Sequence, residues 1–243
     1  MKSRFTVGLG LHSFSVLLLT GVWALNPAAA QSFNIDIDTT GTNGNLGNGV
    51  PSAAFGAAAN QPGFWTSFLT TSDAIPLRDL GTNAPTGATV QVTASSTTVS
   101  VLSFNNANNS GDFALLFNDG SQIGTTTQGG TRTYSFNGLM NGMYEVYTYT
   151  GRPQPVEGQL QVDVIGSNEG ALLASGLMTG NTFTEGVSHL IHTVDVMNGS
   201  INIRMTDIAG APAGYVGGFQ LTLIPEPASL TLLLSSLALL RRR

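Results

Sequence analysis

Between residues 31 and 224, apolar and polar positions alternate far more often than they recur at helical spacing. Phe33-Asn34-Ile35-Asp36-Ile37-Asp38 alternates without a break, as does Thr89-Val90-Gln91-Val92-Thr93, and Thr98-Val99-Ser100-Val101 resumes after a Ser-rich turn. A period of two sends successive side chains to opposite faces, so each run predicts a strand with one buried and one wetted face. Further strands are predicted over 131–136, 143–150, 160–165, 190–196, 200–205 and 219–223. Between them fall Asn137-Gly138, Asn141-Gly142, Asn198-Gly199 and the Gly-Pro stretch 209–218, residue types that suit tight turns. Two short segments read as helical: 52–59, and 111–118 with Asp112 as its cap. Many short strands, no βαβ alternation and no repeat of fixed period predict an all-β fold, one antiparallel β-sandwich over residues 31–224.

The two ends break this pattern. Lys2 and Arg4 precede an apolar run from Phe14 to Leu25, then Asn26-Pro27 and the small residues Ala28-Ala29-Ala30. A basic start, a short apolar stretch and an A-x-A site at Ala28 and Ala30 predict a signal peptide over 1–30, removed by signal peptidase after Ala30. The apolar run is also short of the ~20 residues that span a bilayer. At the other end, Pro225-Glu226-Pro227 stops any strand or helix. Residues 228–240 then offer an apolar helix of about 20 Å at ~1.5 Å per residue, interrupted by Ser235-Ser236. Arg241, Arg242 and Arg243 follow and hold that end on the cytoplasmic side.

This order of breaker, apolar helix and basic cluster over residues 225–243 resembles the PEP-CTERM sorting signal, the tail recognised by exosortases in Gram-negative bacteria that make extracellular polysaccharide. The resemblance implies that Pro225, Glu226 and Pro227 are the motif read by an exosortase-type sorting enzyme, and that Arg241 to Arg243 are its terminal basic cluster. It implies export across the inner membrane to the cell surface or exterior, with the C-terminus held in the membrane transiently or permanently. A second resemblance lies in the middle of the chain. The run 136–149, with Asn137-Gly138-Leu139, Asn141-Gly142 and the tyrosines 144, 147 and 149, is similar to a recurrent hairpin of galactose-binding-like jelly rolls and carbohydrate-binding modules. Residues 194–203 and 214–221 are similar to the closing strands of such domains. That resemblance implies a jelly-roll-like sandwich and extracellular polysaccharide as a partner.

Charge sharpens the functional classes. Only 9% of the 243 residues are charged, Lys2 is the single lysine, and there is no cysteine. Lack of cysteine removes disulfides, thiol nucleophiles and Cys-ligated metals. Once the ends are set aside, Arg78, Arg132, Arg152 and Arg204 face thirteen acids, a net of −9 that argues against nucleic acid.

Candidate sites are few. Trp65, the one tryptophan outside 1–30, follows the turn residues Gln61-Pro62-Gly63, and Tyr147 and Tyr149 share a strand face with Met143 and Glu145. Aromatic faces stack on the C–H groups of sugar rings, and they equally fill or cap a core, so both readings of these three residues stand. Asp36-Ile37-Asp38 opens a D-x-D-x-x-G run, but the twelfth position is Gly47 where an EF-hand needs Glu; Asp36 and Asp38 remain a calcium candidate of irregular-loop type, and Asp112 beside 105–109 is a second acid-and-amide cluster. His189 and His192, three apart on a strand, point to opposite faces and do not chelate one ion. Asp73 with Asp79, or Glu145 with Glu157, supply carboxyl pairs that nothing in the sequence sets across a cleft. No G-x-S-x-G, P-loop or dinucleotide-binding pattern occurs. The expectation is an exported, non-enzymatic carbohydrate-binding or structural domain without a cofactor, calcium aside; the alternative is a secreted glycan-active enzyme whose acids the sequence does not locate.

Overall fold

A computed structural model of the chain describes residues 31–38, 49–68, 73–94, 99–103, 108–124, 130–151, 158–208 and 213–225. Residues 1–30, where a signal peptide is expected, and residues 226–243, where the sorting helix and basic cluster are expected, lie outside the described residues.

Among the described residues, fourteen strands and one short helix follow in chain order. They are β1 (Phe33–Asp36), β2 (Trp65–Ser67), β3 (Ile75–Arg78), β4 (Pro85–Ala94), β5 (Val99–Ser103), α1 (Asp112–Phe117), β6 (Asp119–Ile123) and β7 (Thr131–Asn137). Then come β8 (Gly142–Tyr149), β9 (Gly158–Val164), β10 (Ala171–Gly176), β11 (His189–Val196), β12 (Ser200–Asp207), β13 (Gly214–Val216) and β14 (Gly218–Leu223). A five-stranded sheet in the order β11-β8-β14-β1-β2 faces a six-stranded sheet in the order β10-β9-β12-β7-β4-β3, and a three-stranded sheet β13-β6-β5 stands beside them. Every pairing between these described strands is antiparallel except β1 with β2. The described residues form an all-β sandwich of mainly antiparallel sheets.

Alternation explains the main core. Phe33 and Ile35 of β1, Tyr144 and Val146 of β8, and Phe219 and Leu221 of β14 point inward, against Val90 and Val92, Tyr134 and Phe136, and Ile201 and Ile203 of the opposite sheet. The outer face of the six-stranded sheet keeps the expected wet pattern: along β7 and β12, polar positions such as Thr133 and Arg204 alternate with fully buried ones. Arg204 there pairs with Asp163 at 2.5 Å on the neighbouring strand.

Three expectations are corrected. The wetted face of β1 is absent: all four of its residues are buried, Asn34 and Asp36 included, because residues 49–64 and α1 cover that side. Residues 52–59 form turns instead of a helix, since Ala57 at φ 46° and Asn60 at φ 50° turn the backbone left-handed. Finally, Gly111 occupies the cap position of α1 without a side-chain hydrogen bond. Asp112 instead accepts from the Ser52 amide at 2.7 Å and the Ser52 hydroxyl at 2.8 Å, tying α1 to the covering segment.

Candidate functional site

The outer face of the five-stranded sheet carries the aromatics singled out in the sequence. Strand register sets one row across it, Ile191, Tyr147, Gln220, Asn34 and Trp65, and the next row holds His189, Tyr149, Gly218, Asp36 and Ser67. Trp65, Tyr147 and Tyr149 are therefore brought onto one face although 82 positions separate Trp65 from Tyr147.

Two of the three do not offer a free stacking face. Trp65 is 3% exposed and Tyr149 is fully buried, because residues 49–64 fold over them into a second core with Leu116, Phe117 and Met178. The Trp65 indole donates to the Phe55 carbonyl at 3.4 Å, and the Tyr149 hydroxyl accepts from the Ala58 amide at 3.0 Å and bonds the Gln220 side chain. Burial drives the Tyr149 hydroxyl's pKa far above its ordinary value, so it stays neutral. Beneath them an amide network ties three distant segments together: Asn34 Oδ1 accepts from Gln220 Nε2 and from Gln61 Nε2, each at 2.8 Å.

Tyr147 is different. It is half-buried and donates to Glu145 Oε2 at 3.2 Å. Its ring lies at 6.2 Å and 21° from that of His189. Burial, with help from Glu145 and Glu185, pushes its hydroxyl up to about 12. Thr193 and Thr222 flank Glu145 directly across the strands. From His189 the aromatic tier continues through Phe183, at 6.0 Å, to Phe113 at 4.5 Å and Phe55 at 5.2 Å from Phe113. These three phenylalanines are half-buried and form the rim of the second core. Alongside runs a groove of about 430 Å³ whose lining includes Asn109, Ser110, Asp112 and Leu115. Asn181 closes its edge by bonding the Ser110 hydroxyl at 2.9 Å. Phe113 and Phe117 sit at i and i+4 on α1, a spacing visible in the sequence; nothing local announced Phe55, Phe183 or the amide network.

The remaining candidates resolve separately. Asp38 accepts from Ser67 Oγ at 3.1 Å and the Gly49 amide at 3.4 Å, whereas Asp36 is buried, so the D-x-D pair forms no open loop site. Among the described residues no three acids or histidines lie close enough to hold a metal ion. His189 and His192 face opposite sides of β11: His189 joins the aromatic tier and contacts Ser188 Oγ at 3.2 Å, while His192 is buried on the core side with Nε2 3.1 Å from the Gly170 carbonyl. Burial lowers the proton affinity of both. Asp79 closes its own turn, accepting from Thr82 Oγ1 and the Thr82 amide at 2.8 Å, which holds its carboxyl below the ordinary value. Glu157 lies outside the described residues. No helix among the described residues is long and apolar enough to cross a membrane.

No family model and no curated protein matches the chain. Solved structures do. An exo-β-1,3-galactanase from Phanerochaete chrysosporium, solved with β-1,3-galactotriose, is 17% identical with a TM-score of 0.34, over 54% of this chain and 27% of its own. The YxiM protein of Bacillus subtilis matches at 12% identity and a TM-score of 0.39, over 80% of this chain and 40% of its own. The module TmCBM61, solved in complex with β-1,4-galactotriose, matches at 18% identity and a TM-score of 0.33, over 56% of this chain and 88% of its own. This chain thus spans well under half the length of the first two. The resemblances are to these structures at low identity, and they place the chain in no family.

Proposed function

We propose that this protein is an exported, non-enzymatic glycan-binding component of the cell surface or extracellular polysaccharide layer, delivered by a signal peptide and an exosortase-type sorting tail. One observation carries the binding half: the tier in which half-buried Tyr147, Phe183, Phe113 and Phe55 surround the buried His189 ring, bordered by Glu145, Thr193 and a groove with Asn109 and Asp112. Sugar rings need an apolar face for their C–H groups and acceptors for their hydroxyls, and a mostly apolar concavity with a few polar groups is the usual form of a small-ligand site. The delivery half rests on the order of residues at the two ends.

The test is a glycan array with the purified protein, with and without calcium, beside Tyr147→Ala. Retention of one or more glycans is expected, weakened at least tenfold by the substitution, while stability changes little because Tyr147 is only half-buried. An array without any retained glycan, or retention indifferent to the loss of Tyr147, removes the reading. Release of reducing ends that stops with Glu145→Gln would establish the enzyme alternative instead.

A further inference from the structure

Asp36 sits where an ionised carboxylate is hardest to keep. It is fully buried, and among the described residues neither of its carboxylate oxygens has a hydrogen-bond partner. A buried, unpaired charge is among the costliest things a fold can contain, so each such group calls for a specific explanation. Among the described residues, its neighbours offer no cation. Across the strands lie Gly218 of β14, without a side chain, and Ser67 of β2, whose hydroxyl is given to Asp38. Tyr149 of β8 follows Gly218 in the same row, and α1 turns its apolar residue Leu116 toward Gly218. Asp119, buried at the start of β6, shares this seam: a methyl group on Gly217 would stand 3.7 Å from the Asp119 carbonyl oxygen, and one on the next residue, Gly218, 3.5 Å from Asp36 Cα. Asp119 and Asp38, two residues beyond Asp36 in the chain, are the charged groups acting on it among the described residues. Burial first, then these two like charges, hold the Asp36 carboxyl well above the ordinary carboxylate range.

The seam is also tight. A methyl group on Gly217 would meet the Leu116 carbonyl oxygen at 2.2 Å, and one on Gly218 would meet the Ile35 carbonyl oxygen at 2.4 Å and Leu116 Cδ1 at 3.0 Å. Calcium takes six to eight oxygen ligands, whereas a proton needs one acceptor and almost no space. Protonation converts Asp36 from a group with only unfilled acceptor sites into a donor beside an acidic neighbour.

We propose that Asp36 and Asp119 share one proton in the folded protein at neutral pH, making the seam between β1 and the α1–β6 segment a pH-operated clasp. Loss of that proton sets two like charges against each other in a dry seam. The α1–β6 segment then loosens from β1, and Phe113 of the aromatic tier and Phe117 of the second core move with it. A carboxyl whose folded pKa is raised contributes stability that is complete below its unfolded value of 3.8 and is lost as the pH rises through the folded value. The clasp therefore closes in acid and opens in alkali, whatever the outer face binds.

Asp36→Asn in the full-length protein tests this, because it keeps the shape of the side chain and removes the titration. In EDTA, infrared spectra at neutral pH should contain a protonated-carboxyl band that Asp36→Asn abolishes. Amide exchange over 112–124 should lose up to about tenfold in protection per pH unit above the pair's apparent pKa in the wild type, one proton's worth, and stay level in the variant. Should Asp36→Asn fail to fold, Asp119→Asn must remove the same band. A missing band in the wild type overturns the proposal, as do equal pH slopes in wild type and variant. So does a band that disappears on adding calcium, which would make the pair a metal site.

Discussion

Gln220 is the residue on which the second core turns. Its Oε1 takes the Tyr149 hydroxyl and the Ala59 amide, and its Nε2 donates to Asn34 Oδ1 and the Gly56 carbonyl. One side chain thus pins the covering segment, β8 and β1 together. Gln220→Ala should cost roughly 3 kcal/mol, since several buried partners lose their bonds at once and a small cavity remains. Urea denaturation measures it; a loss below about 1 kcal/mol would mean that water replaces the amide. In the sequence Gln220 is a lone polar residue between Phe219 and Leu221, which marks its strand face but not its partners. Tyr147 and Tyr149 show the same limit. Their shared face was legible from spacing alone, yet one is half-exposed and the other sealed, because residues 49–64 cover only one end of that face.

At the scale of elements, long alternating runs became strands within a few residues of their expected bounds, as in β7, β8, β11 and β12. The unanticipated strands are short or lack alternation. β2 and β13 have three residues each, and β6, Asp119-Gly120-Ser121-Gln122-Ile123, is buried at four of its five positions. Both faces of such a segment are occupied, so no period of two survives for a sequence to display. The last strand among the described residues, β14, ends at Leu223 and is flanked by β1 and β8. Deleting 225–243 should therefore leave the thermal midpoint of the domain unchanged and abolish retention at the cell surface. Retention without the tail would defeat the sorting reading, and misfolding would show that the tail belongs to the domain.

For the whole molecule, two kinds of buried group pull stability in opposite directions with pH. His189 and His192 are held neutral by burial, which outweighs the nearby Glu185 and Glu169. Their folded pKa values lie below the ordinary 6.5, so stability is lost as the pH falls through 6.5, where the unfolded chain takes up protons first. Thermal midpoints should decline from pH 7 to pH 5, and His192→Gln should flatten that decline. An unchanged slope in the variant would mean that His192 keeps water contact. Together with the Asp36 clasp, whose effect grows toward alkali, this gives a stability maximum at intermediate pH.

By itself the sequence determined the all-β class, the inward set of the main core and the expectation of export. These are local properties: a period of two is written into five or six consecutive residues, and the terminal signals are short runs of charge, apolar residues and breakers. Only the tertiary structure decided which outer faces stay wet. Asn34, Asp36 and Tyr149 are sealed by a segment and a helix that reach them from 27 to 91 positions away in the chain, as in the bonds of Asn34 to Gln61 and of Tyr149 to Ala58. Alternation states that a strand's two sides differ. What comes to lie on the polar side depends on contacts that no local pattern encodes.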